Sequence, residues 1–350
     1  MKQFKEPLCE LLTAVAAAVL FFVFLFPASA ENAYSHSAVK TGDILCFGTP
    51  DDSCGFDGRW LVLDSQHTNT GDDGLFVVSL SLIGDESGAP LLFRDIDGVS
   101  VSFSDRGEAF AAAHPGLTAY QGSDIQRWCE EFLTGHFSGA ERQALLPTYK
   151  SDDGIAIPGF GIPLPGAAAG TVDFDPSEGI LNGDRLFLLS AEEAASDRYG
   201  FPDNRSRVAL YRGQAQGYWL RSPHIPTFPL DVGFVFSFGA VMDYPVNGKS
   251  MFSMDTYARP ACNLDRERIT GLEKLAESGD TAIWKVTFEG EERNIQTYDL
   301  SLPEIGNVPD VQRILSAALI VVPVLALILI VLMVWLIVRH VKKKRAISKA

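Results

Sequence analysis

The stretch DRLFLLSAEEAA, residues 184–195, decides how this chain is expected to fold. Its apolar run, Leu186–Leu189, predicts a short buried strand. Ser190 follows at once, and Glu193 comes three residues later, which is the capping-box pattern that begins a helix. The stretch therefore predicts a buried strand that leads directly into a capped helix.

Two more capping boxes lie upstream, and they predict two further helices. They are formed by Ser123 with Gln126 and by Ser138 with Glu141. After the first box, apolar residues recur at helical spacing and predict one buried face, made of Ile125, Trp128, Cys129, Phe132 and Leu133.

Strand patterns flank the helices on both sides. Early strands are predicted at Ile44–Phe47, Trp60–Leu63 and Leu75–Ile83, and late ones between Tyr218 and Tyr244. The segment 154–170, rich in Gly, Pro and Ala, reads as a long loop. This order predicts an α+β fold: a single mixed domain of short antiparallel strands with about three helices.

Both ends of the chain carry membrane-targeting patterns. Residues 1–30 combine two lysines, an apolar run and a terminal Ala-Ser-Ala, which predicts a signal peptide. Residues 314–338 contain no charge and predict one transmembrane helix. The basic tail 339–350 predicts that the helix ends in the cytoplasm, so that the rest of the chain lies outside the cell membrane. The motif LPEIG at 302–306 resembles a sortase signal, but the full-length span suits a permanent anchor better.

The net charge and the number of cysteines limit the kinds of function that this protein is expected to have. The formal net charge of −15 argues against binding to nucleic acid, because phosphates would be repelled. Four cysteines remain after the signal peptide, an even number that permits two disulfides in an exported protein. Cys46 and Cys54 flank one turn and are predicted to pair. Cys129 either is a buried thiol or pairs with Cys262.

Two arginines in apolar strands are the first candidate site residues. Arg221 and Arg259 must find internal partners, because an unpaired buried charge is very costly. Two interpretations follow: a structural clamp, which is favoured, or an anion or sugar contact in a groove. In the second case Tyr218 and Trp219 would line the same ligand-binding groove.

Acidic clusters offer a candidate calcium site. Asp173, Asp175 and Glu178 come closest to a tight loop of oxygen ligands, although they do not follow the EF-hand pattern. No Cys/His spacing indicates zinc, and the scattered histidines form no catalytic motif. The sequence therefore predicts no enzyme and at most a Ca²⁺ ion as a cofactor.

Five segments in this order resemble a known bacterial family, the domain of unknown function numbered 6273. They are GDILCFG with RWLVL, SDIQRWCEEFL, DRLFLLSAEEA, YWLRSP and ARPACNLD, and they span about residues 41–265. The resemblance implies export and a cell-surface setting, but no established activity. Cys129 and Cys262 stand where apolar residues are more usual in the family, which favours their pairing. The closing pattern is also distantly similar to C-type-lectin-like folds.

These patterns predict a membrane-anchored cell-surface protein that acts as a non-enzymatic binding or structural module. Residues 31–265 are expected to form the extracytoplasmic domain and residues 266–313 a strand-rich, membrane-proximal stalk. The expected partners of the protein are the membrane and a cell-wall glycan or surface protein. The alternative is a carbohydrate-active enzyme, which would need two carboxylates facing each other about 5–9 Å apart.

Overall fold

The computed structural model describes residues 38–95, 116–151, 154–158, 171–175, 179–224, 231–246, 255–291 and 294–303. Its largest element is a seven-stranded sheet. From edge to edge this main sheet consists of β15 (Ile269–Ser278), β16 (Thr281–Phe288), β1 (Ile44–Cys46), β2 (Arg59–Asp64), β3 (Leu75–Ser79), β14 (Pro260–Leu264) and β8 (Phe187–Leu188). Neighbouring strands are antiparallel except β1 and β16, which are parallel.

A second sheet is built around the ten-residue strand β10 (Gln214–Pro223). Its order is β12 (Val241–Pro245), β11 (Asp231–Val235), β10 and β13 (Thr256–Tyr257), and β9 (Ala209–Tyr211) pairs with the start of β10. Two hairpin-like pairs complete the strands: β4 (Thr148–Lys150) with β7 (Leu181–Asp184), and β5 (Ile155–Pro158) with β6 (Thr171–Phe174).

The described helices are α1 (Asp124–His136), α2 (Gly139–Ala144), α3 (Ala191–Ala194) and α4 (Asn204–Arg207), with 3₁₀ turns at Asp197–Tyr199 and Arg266–Arg268. The three predicted N-caps are confirmed. The side chains of Ser123, Ser138 and Ser190 each accept a hydrogen bond from the backbone N–H three residues later. The last two caps are complete capping boxes, because Glu141 and Glu193 each accept a hydrogen bond from the N–H of the capping serine.

The α+β prediction is wrong, since the described part of the chain is mostly β-sheet with few helices. Only α1 is long. α2 ends after six residues, where Pro147 disfavours helical backbone at the residue before it. α3 stops after four residues, and the chain then turns through Gly200 in the left-handed conformation. The strands β5 and β6 lie at the two ends of the segment that reads as a loop, and a pairing between such short pieces leaves little trace in sequence.

None of the described helices combines the length and the apolar character needed to cross a membrane. The segments predicted as signal peptide (1–30), transmembrane helix (314–338) and basic tail (339–350) all lie outside the described residues, as does the end of the LPEIG motif. The hairpin β15–β16, in the segment predicted as a stalk, continues the main sheet through the pairing of β16 with β1.

The packing of one close turn depends on a glycine. Gly239 follows β11 with φ +85°, and a Cβ atom there would lie 1.6 Å from the carbonyl oxygen of Asn204 in α4. Only glycine allows both this backbone conformation and this approach. The turn can therefore rest directly on α4.

An aromatic cluster joins α1 to the main sheet. Trp60 on β2 is fully buried and stacks on Phe47, with ring centroids 5.0 Å apart. Phe56 meets Phe132 of α1 edge to face at the same distance. These contacts hold the C-terminal end of α1 against the turn between β1 and β2.

The two predicted disulfides are not formed, because all four cysteines in the described residues are free and buried. Residues alternate between the two faces of β1, so Cys46 packs with Ile283 and Tyr298. Cys54 instead belongs to the main core on the opposite face. Cys129 lies beside the hydroxyl of Tyr120, and Cys262 lies in β14 in register with Val77 of β3.

The structure predicts that these thiols do not react in the native protein. Burial raises the pKa of all four, that of Cys46 to about 12, and only the thiolate form reacts readily with an alkylating reagent. Iodoacetamide at neutral pH should therefore leave all four unlabelled until the protein is unfolded without reductant, after which peptide mass spectrometry should find all four labelled. A sample reduced before alkylation is the control. Peptides that become labelled only after reduction would show that the predicted disulfides exist.

Candidate functional site

The four residues predicted to line a ligand groove lie inside the molecule. Tyr218, Trp219 and Arg221 are on β10 and are at most 1% exposed; Arg259 directly precedes β14 and is 3% exposed. The polar contacts described for the two arginines all go to other parts of the protein. Ligand contact by these four residues stays a prediction, and their burial means that they form no open groove in this structure.

Arg221 makes the most deeply buried ion pair of the described residues. Its Nη1 lies 2.6 Å from Oε2 of Glu193, and its Nη2 lies 3.2 Å from Oε1, so the pair is bidentate. The same guanidinium donates to the carbonyl oxygens of Gly179 at 3.0 Å and Leu188 at 2.9 Å. The planar fork of arginine suits this geometry, which places donors on a carboxylate and on carbonyls at once.

Glu193 collects donors from several distant parts of the chain. Lys150 of β4 donates to Oε1 at 2.8 Å, and the Asn69 side-chain amide donates to the same oxygen at 2.9 Å. Asn69 in turn accepts from Asn263 of β14, and Asn263 also donates to Thr148 of β4. This set of side chains, which we call the Glu193 network, joins β4, β10, β14 and α3.

The electrostatics of Glu193 follow from two opposing effects. Burial alone would raise the pKa of its carboxyl, because the charged form loses water. The charges and hydrogen bonds of Arg221 and Lys150 outweigh burial and hold that pKa well below its usual range. Glu193 is therefore ionised in the native protein at any pH above the acid range.

Arg259 is the centre of a second clamp. Its Nε donates to the carbonyl oxygen of Ser79 at 3.1 Å, and its Nη1 donates to the Tyr218 hydroxyl at 3.3 Å. Its guanidinium also lies over the rings of Phe201 and Tyr218, 5.7 and 5.4 Å from their centroids. Cation–π contacts of this kind help to accommodate a buried guanidinium.

Three further buried carboxylates accept hydrogen bonds that stabilise the fold. Asp43 accepts from the N–H of Ala282 and from the indole of Trp284. Glu141 accepts from the backbone N–H of Gly48 at 2.6 Å. Asp184 accepts from the side-chain amides of Gln121 and Gln126. Each of these carboxylates binds donors from another part of the chain.

The predicted calcium residues are only partly described. Asp173 lies in β6, and the N–H of Asp175 donates to the carbonyl oxygen of Pro223 at 2.9 Å. Glu178 lies outside the described residues. The calcium site stays a prediction.

The structure brings together a trio that the sequence did not point to: Asp51, Cys54 and His136. Their ligand-type atoms, a carboxylate oxygen, Sγ and an imidazole nitrogen, lie within 4.8 Å of one another. Asp51 and Cys54 come from the turn between β1 and β2, and His136 is the last residue of α1. Cys54 and His136 are 82 positions apart, so the sequence does not bring the trio together, and only the short spacing of Asp51 and Cys54 is a local signal.

Removing the charge of Glu193 should destabilise the protein strongly. Glu193→Gln leaves Arg221 buried without its counter-charge, which typically costs roughly 3–5 kcal/mol in the free energy of unfolding. Urea unfolding followed by tryptophan fluorescence at neutral pH measures this loss. Glu131→Gln, on the exposed side of α1, is the matched control and should change stability by less than about 0.5 kcal/mol. Equal effects of the two substitutions would contradict the role of Glu193.

The ion pair between Glu193 and Arg221 also predicts how the stability of the protein depends on pH. Because the pKa of Glu193 is lower in the folded than in the unfolded state, its contribution is fully present above the ordinary glutamate pKa of about 4.3. It is lost as pH falls from there towards the folded pKa. The difference in unfolding free energy between wild type and Glu193→Gln should be constant between about pH 6 and pH 8 and should shrink below about pH 4.3. A difference that grows on acidification would contradict this assignment.

Comparison with known proteins finds a family model that matches the centre of the chain. The family model described as "Domain of unknown function (DUF6273)" matches residues 108–266. No curated protein and no solved structure matches the chain significantly. The matched range contains α1, Glu193, Arg221 and Arg259, so both clamp arginines lie within it, whereas Asp51, Cys54 and Ser79 precede it. The match supports the sequence resemblance to the DUF6273 family over residues 108–266, and the earlier part of that resemblance, from about residue 41, lies outside the matched range.

Proposed function

We propose that this chain is a membrane-anchored cell-surface protein whose folded part is a non-enzymatic binding or structural module. The observation that carries the proposal is that the buried charged side chains bind partners within the protein. Glu193, Arg221 and Arg259 bind internal partners and stabilise the fold. Anchoring rests on the uncharged segment 314–338 and on the basic residues that follow it.

The buried carboxylates argue for a module rather than an enzyme. A catalytic acid or base needs an oxygen that can reach a substrate. Both oxygens of Glu193 and both oxygens of Glu141 already accept hydrogen bonds from the protein. These carboxylates are therefore poorly suited to transfer protons to a ligand.

An exposed aromatic ring offers a surface contact. Tyr149 on β4 is 66% exposed, and Ile180, next to the paired strand β7, is 39% exposed. The Tyr149 ring lies against Gly183, where the absence of a side chain leaves room for it. An open tyrosine ring is suited to contact a sugar ring or an apolar side chain of a surface partner.

One observation favours the alternative, a carbohydrate-active enzyme. Burial raises the pKa of Glu291, and the nearby negative charge of Glu141 adds to this effect. Glycosidases use a carboxyl with a raised pKa as their catalytic acid. Glu291 is thus the residue whose removal tests the enzyme hypothesis.

A binding screen against glycans and cell-wall fragments tests the proposal. The protein should bind at least one fragment without releasing new reducing ends. Tyr149→Ala should weaken that binding roughly tenfold, because an exposed aromatic contact contributes about 1–2 kcal/mol. Ile295→Ala, which removes another exposed side chain (80%), is the matched control and should leave binding unchanged.

The same screen can contradict the proposal. Hydrolysis of a fragment that Glu291→Gln abolishes would establish the enzyme instead. Absence of binding to any fragment by correctly folded protein would exclude a glycan-binding role and leave a structural or assembly role.

A further inference from the structure

We propose that Asp51, Cys54 and His136 form a binding site for one divalent transition-metal ion of the zinc class. The inference is independent of the proposed function. It concerns the turn between β1 and β2 and the end of α1, and it involves none of the residues predicted to bind calcium.

The distances suit one shared ion. The three ligand atoms lie within 4.8 Å of one another. Zinc binds oxygen and nitrogen at about 2.0–2.2 Å and thiolate sulfur at about 2.3 Å, so ligand atoms around one tetrahedral ion lie roughly 3.3–3.8 Å apart. Small side-chain rotations would bring the trio to that spacing.

The hydrogen bonding of His136 points to a cation at this position. Its Nδ1 lies 3.2 Å from the carbonyl oxygen of Phe132, which can only accept, so this contact is a hydrogen bond in the tautomer that carries the ring proton on Nδ1. Its Nε2 then presents a lone pair 3.3 Å from Oδ2 of Asp51. Two acceptors face each other stably only with a cation between them, either a proton on the ring or a metal ion. A histidine that donates Nδ1–H to a carbonyl is typical of metal ligands.

Asp51 supplies the negative charge. The Asp51 side chain accepts hydrogen bonds from the hydroxyl and the N–H of Ser53. Both bonds go to Oδ1, at 2.6 and 2.8 Å. Oδ2 is thereby directed to the side on which His136 lies.

Cys54 supplies a soft ligand that no disulfide occupies. The residue is 2% exposed, and its Sγ lies 3.4 Å from the backbone carbonyl oxygen of Asp51. A bound metal ion displaces the proton of a coordinating thiol. A catalytic Cys–His pair is the competing interpretation. It fits less well, because the thiol is directed to a backbone carbonyl and is almost fully buried, so a substrate could not easily reach it.

The frame around the trio is rigid. The N–H of Asp51 donates to the carbonyl oxygen of Phe56 at 2.8 Å, which closes the turn. The backbone of Gly55 has φ +84°, and a Cβ atom there would lie 2.7 Å from the Tyr211 ring. The His136 ring stacks on Phe132 at 4.0 Å. The ligands are therefore held in place before an ion arrives.

The site is open on one side. The Asp51 side chain is 39% exposed and that of His136 is 18% exposed, whereas Cys54 lies beneath them. An ion can therefore enter past Asp51 and keep a water molecule as its fourth ligand. A set of one sulfur, one nitrogen and one oxygen selects zinc, cobalt or copper over calcium and magnesium, which prefer oxygen ligands.

Metal titration of the full chain tests the proposal. The protein is purified in detergent without a histidine tag and stripped with chelator, and then titrated with Zn²⁺ or Co²⁺. One equivalent should bind, and bound Co²⁺ should show a thiolate charge-transfer band in the near ultraviolet. His136→Gln should weaken Zn²⁺ binding at least 100-fold, and Cys54→Ser should abolish the band. His67→Gln, a substitution of an exposed histidine that pairs with Asp64, is the matched control and should change neither.

Thermal unfolding with and without zinc separates binding from folding. Wild type and His67→Gln should gain several degrees in Tm with Zn²⁺, and Asp51→Asn should fold but gain much less. Lack of a 1:1 complex, a Co²⁺ spectrum without the thiolate band, or unchanged Zn²⁺ affinity in His136→Gln would each overturn the proposal.

Discussion

The bidentate contact between Glu193 and Arg221 is the constraint on which the rest of the described structure depends. Both side chains are at most 1% exposed, so each has lost its hydration and needs the other to remain charged. Glu193 lies in the first turn of α3, shortly after the edge strand β8 of the main sheet, and Arg221 lies in β10 of the second sheet. The Arg221 backbone N–H also donates to the carbonyl oxygen of Leu189 at 2.9 Å. One ion pair therefore fixes how the two sheets meet, and the remaining members of the Glu193 network fix β4 and β14 around it.

Patterns of residues close in sequence predicted many of the helices and strands. They could not predict which distant segments pair. The capping boxes at Ser138 and Ser190 and the strands around Trp60, Leu75 and Phe187 follow from residues close in sequence, so they were predictable. The short pairs β4–β7 and β5–β6 join segments far apart, and their few residues carry no clear alternation. The α+β prediction is wrong also because a capping box predicts where a helix begins and not how long it is. Two of the three predicted helices have only six and four residues.

The candidate sites were only partly predictable for the same reason, because their residues lie far apart in the sequence. Sequence reasoning recognised that Arg221 and Arg259 need buried partners, but it had no means of identifying Glu193, 28 positions earlier, as one of them. It paired Cys46 with Cys54 because they flank one turn, whereas alternation along β1 sends Cys46 to the opposite face of the sheet. Cys54 was therefore assigned to a disulfide, and its proximity to His136 emerged only when α1 was placed against the turn. Buried charges stabilise the fold, whereas the turn between β1 and β2 holds two of the three proposed metal ligands.

A double-mutant cycle on Glu193 and Arg221 tests the central claim most directly. The free energy of unfolding is measured for wild type, Glu193→Gln, Arg221→Met and the double variant, with Glu277→Gln and Lys274→Met as the cycle for an exposed pair. If the two buried charges depend on each other, the double variant loses little more stability than either single variant, with a coupling of at least about 2 kcal/mol against less than about 1 kcal/mol for the exposed pair. Additive losses in the buried cycle would show that the two residues stabilise the protein independently, and would contradict the claim.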